Sequence, residues 1–223
     1  MSLPRALLTD LDRTLTDPTL ALDARVIPRI EALERQGIAV AIVTGRPLHH
    51  VAKEGLLGVC SGVVAENGAI LALPRRQEIL VFGEAFRNEA QAALGPVGGL
   101  LRWERVLGTG PLRLEPFVRA RLAATGFPAR IVRNANEIMV LPPGIDKGSG
   151  ARALLARLGI RPEDAVAIGD GANDVALFEA VGRSAAVANA ELPAWEGATL
   201  RLHGAYADGF LELTALLAPE APA

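Results

Sequence analysis

At 223 residues the chain is long enough for one domain or two small ones, and half of it is apolar, ample for a buried core. The formal net charge of -2 excludes a global basic field that would draw it to nucleic acid or an anionic membrane. Cys60 is the only cysteine, no apolar run approaches the roughly 18 residues of a membrane span, and no signal-peptide core fits ahead of Asp10. The expectation is a soluble cytoplasmic protein without disulfides, a monomer or homodimer, with no nucleic-acid or membrane partner.

In chain order, short apolar runs alternate with helical patterns. Residues 5–9 predict a first strand. Residues 22–36 predict a helix closed by Gly37, with Pro28 inside the pattern as a start or a kink. Residues 38–43 are continuously apolar, as in a strand buried on both faces. Pro47 suits the first turn of a following helix. Residues 63–65 and 70–73 predict two short strands. Residues 151–158 predict a helix ended by Gly159, and 165–168 a strand. A helix over 174–181 and a last core strand over 185–188 follow, and 219–223 should fray. Strands alternating with helices argue for an α/β fold, its parallel sheet covered on both sides.

The stretch from 76 to 143 reads differently. Its strands look short and amphipathic, broken at Gly95-Pro96, Gly98-Gly99 and Pro142-Pro143, with a helix over 115–125. Nine Arg stand against six Glu here, net +3, while the remainder carries net -5. The expectation is a small α+β module, residues 76–143, inserted into an α/β core of residues 1–75 and 144–223. Its excess of Arg suits an anionic substrate held between the two. Arg102 and Arg105 flank Trp103 and are candidates to pair with a carboxylate on that substrate.

Four segments carry the chemistry. Asp10 and Asp12 fall where the first strand ends, and in an open parallel sheet ligands bind beyond the carboxyl ends of the strands. One carboxylate can attack phosphorus, and another can protonate a leaving alkoxide and then deprotonate water. Taken alone, two aspartates there also suit a turn or helix cap. Thr44 follows the second apolar run, and its hydroxyl with the amides of Gly45 and Arg46 can meet a phosphoryl oxygen, or it can cap the next helix. Lys147 opens a helix; with Lys53 it is one of two Lys among 23 basic residues, and its ammonium can neutralise a phosphate and an attacking carboxylate. In Gly169-Asp170-Gly171-Ala172-Asn173-Asp174, glycine permits a sharp exit from the strand. Asp170 and Asp174 then offer hard oxygen ligands for Mg²⁺. His49, His50 and His203 have no partner at metal-ligand spacing.

In that order, at three strand ends and one helix start, these segments resemble the four motifs of the haloacid dehalogenase superfamily. The resemblance covers the whole chain and implies a Rossmann-like core with an inserted C2-type cap. Glu66-Asn67-Gly68 is similar to a segment of that subgroup. The short cap, Arg102-Trp103-Glu104 and the total length look most like archaeal-type phosphoglycolate phosphatases. The resemblance implies a phosphatase acting on a small phosphorylated metabolite through an aspartyl-phosphate on Asp10. It implies Asp12 as general acid and base, with Thr44, Gly45, Arg46 and Lys147 on the phosphoryl oxygens. It implies Mg²⁺ held by Asp10, Asp12 (through its carbonyl), Asp170 and Asp174. Phosphoglycolate is the first substrate expected; a sugar phosphate or mannosyl-3-phosphoglycerate is the alternative, and a phosphomutase a more distant one. One departure stands out: the family usually has Gly where this chain has Arg13, a side chain that could face solvent or reach substrate.

Overall fold

The computed structural model describes residues 3–134 and 136–218, with Asn134 described through its backbone alone; residues 219–223, expected to fray, lie outside the described residues. The chain opens with β1 (Ala6–Thr9), α1 (Val26–Arg35), β2 (Ala39–Val43) and α2 (Leu48–Lys53). Then come β3 (Gly62–Ala65), β4 (Ile70–Leu73) and β5 (Glu78–Val81). A second group follows: α3 (Phe86–Leu94), β6 (Arg102–Trp103), β7 (Gly108–Pro111), α4 (Glu115–Thr125), β8 (Arg130–Asn134) and β9 (Glu137–Leu141). The chain then returns with α5 (Lys147–Leu158), β10 (Ala165–Gly169), α6 (Val175–Phe178) and β11 (Arg183–Ala186). It closes with α7 (Leu192–Gly197), β12 (Leu200–Arg201) and α8 (Ala207–Leu217).

Among the described residues eight strands form one sheet, ordered β12-β11-β10-β1-β2-β3-β4-β5. The first six in that order run parallel, and β4 and β5 are antiparallel additions. Period-two alternation explains why the central strands are apolar at every position. Leu7 on β1, Val40 and Ile42 on β2, and Val166 and Ile168 on β10 enter one core with α1 and α8. Ala6, Leu8, Ala41, Val43, Ala165 and Ala167 face the opposite core with α5, α6 and α7. The α/β expectation therefore holds, with helices on both faces.

Several boundaries differ from expectation. The helix expected over 22–36 begins only at Val26, because Leu22 pairs with Thr16 in a small turn ahead of it. Pro28 then lies in the first turn, where its missing N–H breaks no helical bond. The helix expected over 174–181 is only the four-residue α6, and α8 has no counterpart among the expected elements. The expected module boundary at residue 76 falls one element early: β5 pairs with β4 and belongs to the large sheet.

Residues after β5 build a separate four-stranded antiparallel sheet, ordered β6-β7-β9-β8. α3 and α4 cover it through Phe86, Ala90, Leu94 and Val118, packed on Ile138 and Val140. Trp103 belongs to that packing: its indole N–H donates to Gly98 O at 2.9 Å and its ring sits 6.5 Å from Phe86. Glu66, at the end of β3, ties the two sheets together. Its buried carboxylate accepts the amides of Arg105, Val106 and Leu107 at 3.2, 2.8 and 2.9 Å.

Candidate active site

The strand order reverses at β1: the chain proceeds to β2 and β3 on one side, and to β10, β11 and β12 on the other. A crevice opens at such a switch point. Asp10 leaves β1 there, its amide donating to Ile168 O of β10 at 2.9 Å. Thr44 leaves β2 and Asp170 leaves β10 at the same sheet edge.

Lys147 comes from a different layer, as the first residue of α5. Asp146 caps that helix: its carboxylate accepts the Ser149 amide at 2.7 Å, and the Ser149 hydroxyl accepts the Asp146 amide at 2.9 Å. Gly148 allows the first turn to sink against α6, since a Cβ there would stand 2.2 Å from Ala176 O. Lys147 is thereby 2% exposed, and its Nζ donates to Asp10 Oδ1 at 2.5 Å and to Asp174 Oδ1 at 2.6 Å. Asp174 is fully buried, and its other oxygen accepts the amides of Asp170 and Gly171 at 3.1 and 2.9 Å. Gly169 makes room for that, because a Cβ would come within 2.5 Å of Asp174 Cγ.

Carboxylate oxygens of Asp10, Asp170 and Asp174 lie within 4.8 Å of one another. Burial raises the Asp10 pKa well above the usual carboxylate range; Lys147 opposes the shift, while Asp174 and Asp170 add to it. Burial and Asp174 push Asp170 up to about 7, against the pull of Lys147 and Arg13. Burial works against the Lys147 ammonium, but Asp10 and Asp174 outweigh it and raise its pKa. Three buried carboxylates thus surround a single buried ammonium, and the raised pKa values of Asp10 and Asp170 mark an unmet demand for positive charge. Hard oxygen donors around such a deficit fit a divalent cation.

A cavity of about 700 Å³ opens over the cluster, between the two sheets. From the carboxyl edge of the large sheet Asp10, Asp12, Gly45, Arg46 and Asp170 line it, with Lys147 from the start of α5. From the small sheet, Arg102, Thr109 and Met139 are cross-strand neighbours in register, and all three line it. The expected site residues Asp10, Asp12, Gly45, Arg46, Lys147 and Asp170 therefore share one wall. Thr44 and Asp174 are fully buried and do not line it.

Several contacts were not foreseen. Arg46 clasps Asp12, with Nε on Oδ2 at 2.8 Å and Nη2 on Oδ1. The Arg46 amide donates to the Thr44 hydroxyl at 3.0 Å. His50, which the sequence shows without a partner at metal-ligand spacing, lines the cavity beside Arg46, and burial and that arginine lower its pKa. Arg105, expected beside Arg102, turns away to Glu84 at 2.6 Å and does not line the cavity. Arg13 adopts the left-handed region, φ +60°, and its Nε stands 3.5 Å from Asp170 Oδ2.

The haloacid dehalogenase-like hydrolase family matches residues 7–93 and 120–212. The chain belongs to that family. This hydrolase is 32% identical over 216 residues to a phosphoglycolate phosphatase of Methanothermobacter thermautotrophicus, covering 93% of this chain and 96% of that one. It is 33% identical over 228 residues to a phosphoglycolate phosphatase of Haloarcula marismortui, covering 94% and 95%. Its fold matches a sugar phosphatase of haloacid dehalogenase subclass IIB with a TM-score of 0.72 at 19% identity, over 89% and 93% of the two chains. Among the described residues no helix is long and apolar enough to cross a membrane.

Proposed function

We propose that this hydrolase removes the phosphoryl group from a small phosphate monoester, using Mg²⁺ and a transient aspartyl-phosphate on Asp10, and that phosphoglycolate is its first candidate substrate. The observation that carries this reading is the buried Lys147 bridging Asp10 and Asp174 beneath a cavity that Arg102 also faces. The full-length relatives named phosphoglycolate phosphatase supply the substrate class. Residues of the small sheet and its helices act as the cap that shields the reaction from water.

Asp10 and Asp170, with the carbonyl of Asp12, would hold the cation, supported by Asp174 from behind. When bound, Mg²⁺ neutralises charge on the transferring phosphoryl group. An Asp10 carboxylate oxygen attacks phosphorus in line. The bond to the leaving oxygen breaks, its electron pair stays on that oxygen, and Asp12 supplies the proton. Asp12 then removes a proton from water. The resulting hydroxide attacks phosphorus, the Asp10–phosphorus linkage breaks, and inorganic phosphate leaves. Lys147 keeps Asp10 oriented and faces the phosphoryl oxygens with the Gly45 amide, while the buried Thr44 hydroxyl holds the Arg46 amide behind them. Arg46 holds both oxygens of Asp12, so proton transfer by Asp12 follows release of that clasp toward the incoming phosphate. Asp174 acts from behind, fixing Lys147 and the Asp170 loop.

A phosphate-release screen over many monoesters tests the reading. Phosphoglycolate should head the list over sugar phosphates and mannosyl-3-phosphoglycerate. Activity should vanish in excess chelator, return with Mg²⁺, and be inhibited by Ca²⁺, whose larger and looser shell misplaces the nucleophile. Full turnover in chelator would remove the metal from the mechanism. Phosphate moved within a substrate without release would indicate a mutase instead.

A further inference from the structure

Arg13 is the residue that the four-motif pattern does not account for. Its backbone sits at φ +60°, a conformation that a side chain with a Cβ resists. The surroundings hold it there from three directions. Its amide donates to Thr16 Oγ1 at 2.7 Å, its carbonyl accepts Asn189 Nδ2 at 2.9 Å, and its Nη2 reaches Asn189 O at 3.5 Å. Asn189 is itself fixed, accepting the Tyr206 amide at 2.6 Å. The result is directional: the guanidinium stands over the open side of the carboxylate cluster, 3.5 Å from Asp170 Oδ2. Lys147 neutralises the cluster from the buried side; Arg13 approaches from the cavity, which it lines.

We infer that Arg13 is a resident counter-ion of Asp170 which a divalent metal ion must displace, so that this side chain sets the metal affinity of the site. The inference rests on the metal reading proposed above. The physical reason is charge. Asp170 offers its oxygen either to a guanidinium or to a cation of twice the charge, and the two repel each other across it. A glycine at this position would leave Asp170 facing the cavity with no such competitor. Because the Arg13 side chain is 39% exposed, the repulsion is partly screened by water and by salt.

The test is binding of Mn²⁺ alone, followed by the electron paramagnetic resonance signal of the free ion, with Mg²⁺ added as competitor. Arg13→Gln keeps the left-handed backbone and removes only the charge. Arg13→Gly removes the charge and the strain together. Arg13→Lys keeps the charge. The Gln and Gly variants should each bind Mn²⁺ about tenfold more tightly than the native protein, the order expected when one positive charge beside a ligand carboxylate is removed at a partly solvated site. The Lys variant should stay within about twofold, and the difference should shrink as ionic strength approaches about 1 M. Asp170→Asn should abolish the binding, which ties the signal to this cluster. A Gln variant with native or weaker Mn²⁺ affinity overturns the inference and leaves the metal reading standing. No Mn²⁺ binding by any of these proteins overturns both.

Discussion

Replacing Lys147 by Met keeps most of its volume and removes its charge. The native ammonium is 2% exposed and makes two charge-assisted bonds, at 2.5 and 2.6 Å. Without it, Asp10 and Asp174 remain buried with Asp170, their oxygens within 4.8 Å of one another. Removing one partner of a buried ion pair costs about 3–5 kcal/mol, because the other charge is left uncompensated. For a chain of 223 residues the unfolding entropy is roughly 0.5 kcal/mol per kelvin, so Tm should fall by about 6–10 °C at neutral pH in chelator. Two features separate this from a simple packing defect. Saturating Mg²⁺ should restore much of the lost Tm, since it returns positive charge to the same carboxylates. Lowering the pH to about 5 should also restore stability, because Asp170, pushed up to about 7 by burial and Asp174, is protonated there. Turnover should stay down by at least about 10³-fold under every condition, as no metal takes the place of Lys147 on the phosphoryl oxygens. Thermal unfolding with and without chelator, beside phosphate release, gives all of these readings. A Met variant as stable as the native protein at pH 7.5 in chelator would refute the charge argument.

Asp10→Asn should lower turnover by at least about 10³-fold while Tm holds or rises, since burial already disfavours the charged carboxylate there; retention of a tenth of native kcat would sink Asp10 as nucleophile. Arg102→Ala should reduce kcat/KM on phosphoglycolate by about 1–2 kcal/mol more than on a neutral aryl phosphate, whereas Arg105→Ala, whose guanidinium is on Glu84, should leave that ratio unchanged. Asp146→Ala should cost about 1–2 kcal/mol at pH 7 through loss of the α5 cap, measured by urea unfolding. Burial works against the Asp146 carboxylate, but the Ser149 amide and Arg130 outweigh it and depress its pKa. Its contribution is therefore present above the ordinary carboxylate range and is lost as pH falls through the depressed value, so native and Asp146→Ala curves should converge in acid.

The sequence by itself determined which functional groups the site holds and the order in which the chain supplies them. Asp10, Thr44 and Asp170 each end an apolar run, and apolar runs of that length in alternation with helices form a doubly covered parallel sheet whose carboxyl edge is a crevice. Those are local facts: a run, a turn, a residue type. Glu66-Asn67-Gly68 was visible as a segment, but its work was not, because the three amides that Glu66 binds lie some 40 residues further along. The same holds for Arg46, whose partner Asp12 is 34 residues away, and for Arg13, whose partner Asp170 is far beyond that. Arg102 and Arg105 look equivalent around Trp103 in the sequence. Only strand register turns Arg102 into the cavity beside Thr109 and Met139, while Arg105 leaves the strand and meets Glu84. A module boundary at residue 76 separates β5 from its partner β4 for a related reason: strand periodicity tells which residues share a face, and not which neighbour a short strand will pair with. Which carboxylate faces the cavity, which is held behind it, and which arginine faces each are decided by side chains that meet across layers, where burial makes every unpaired charge expensive.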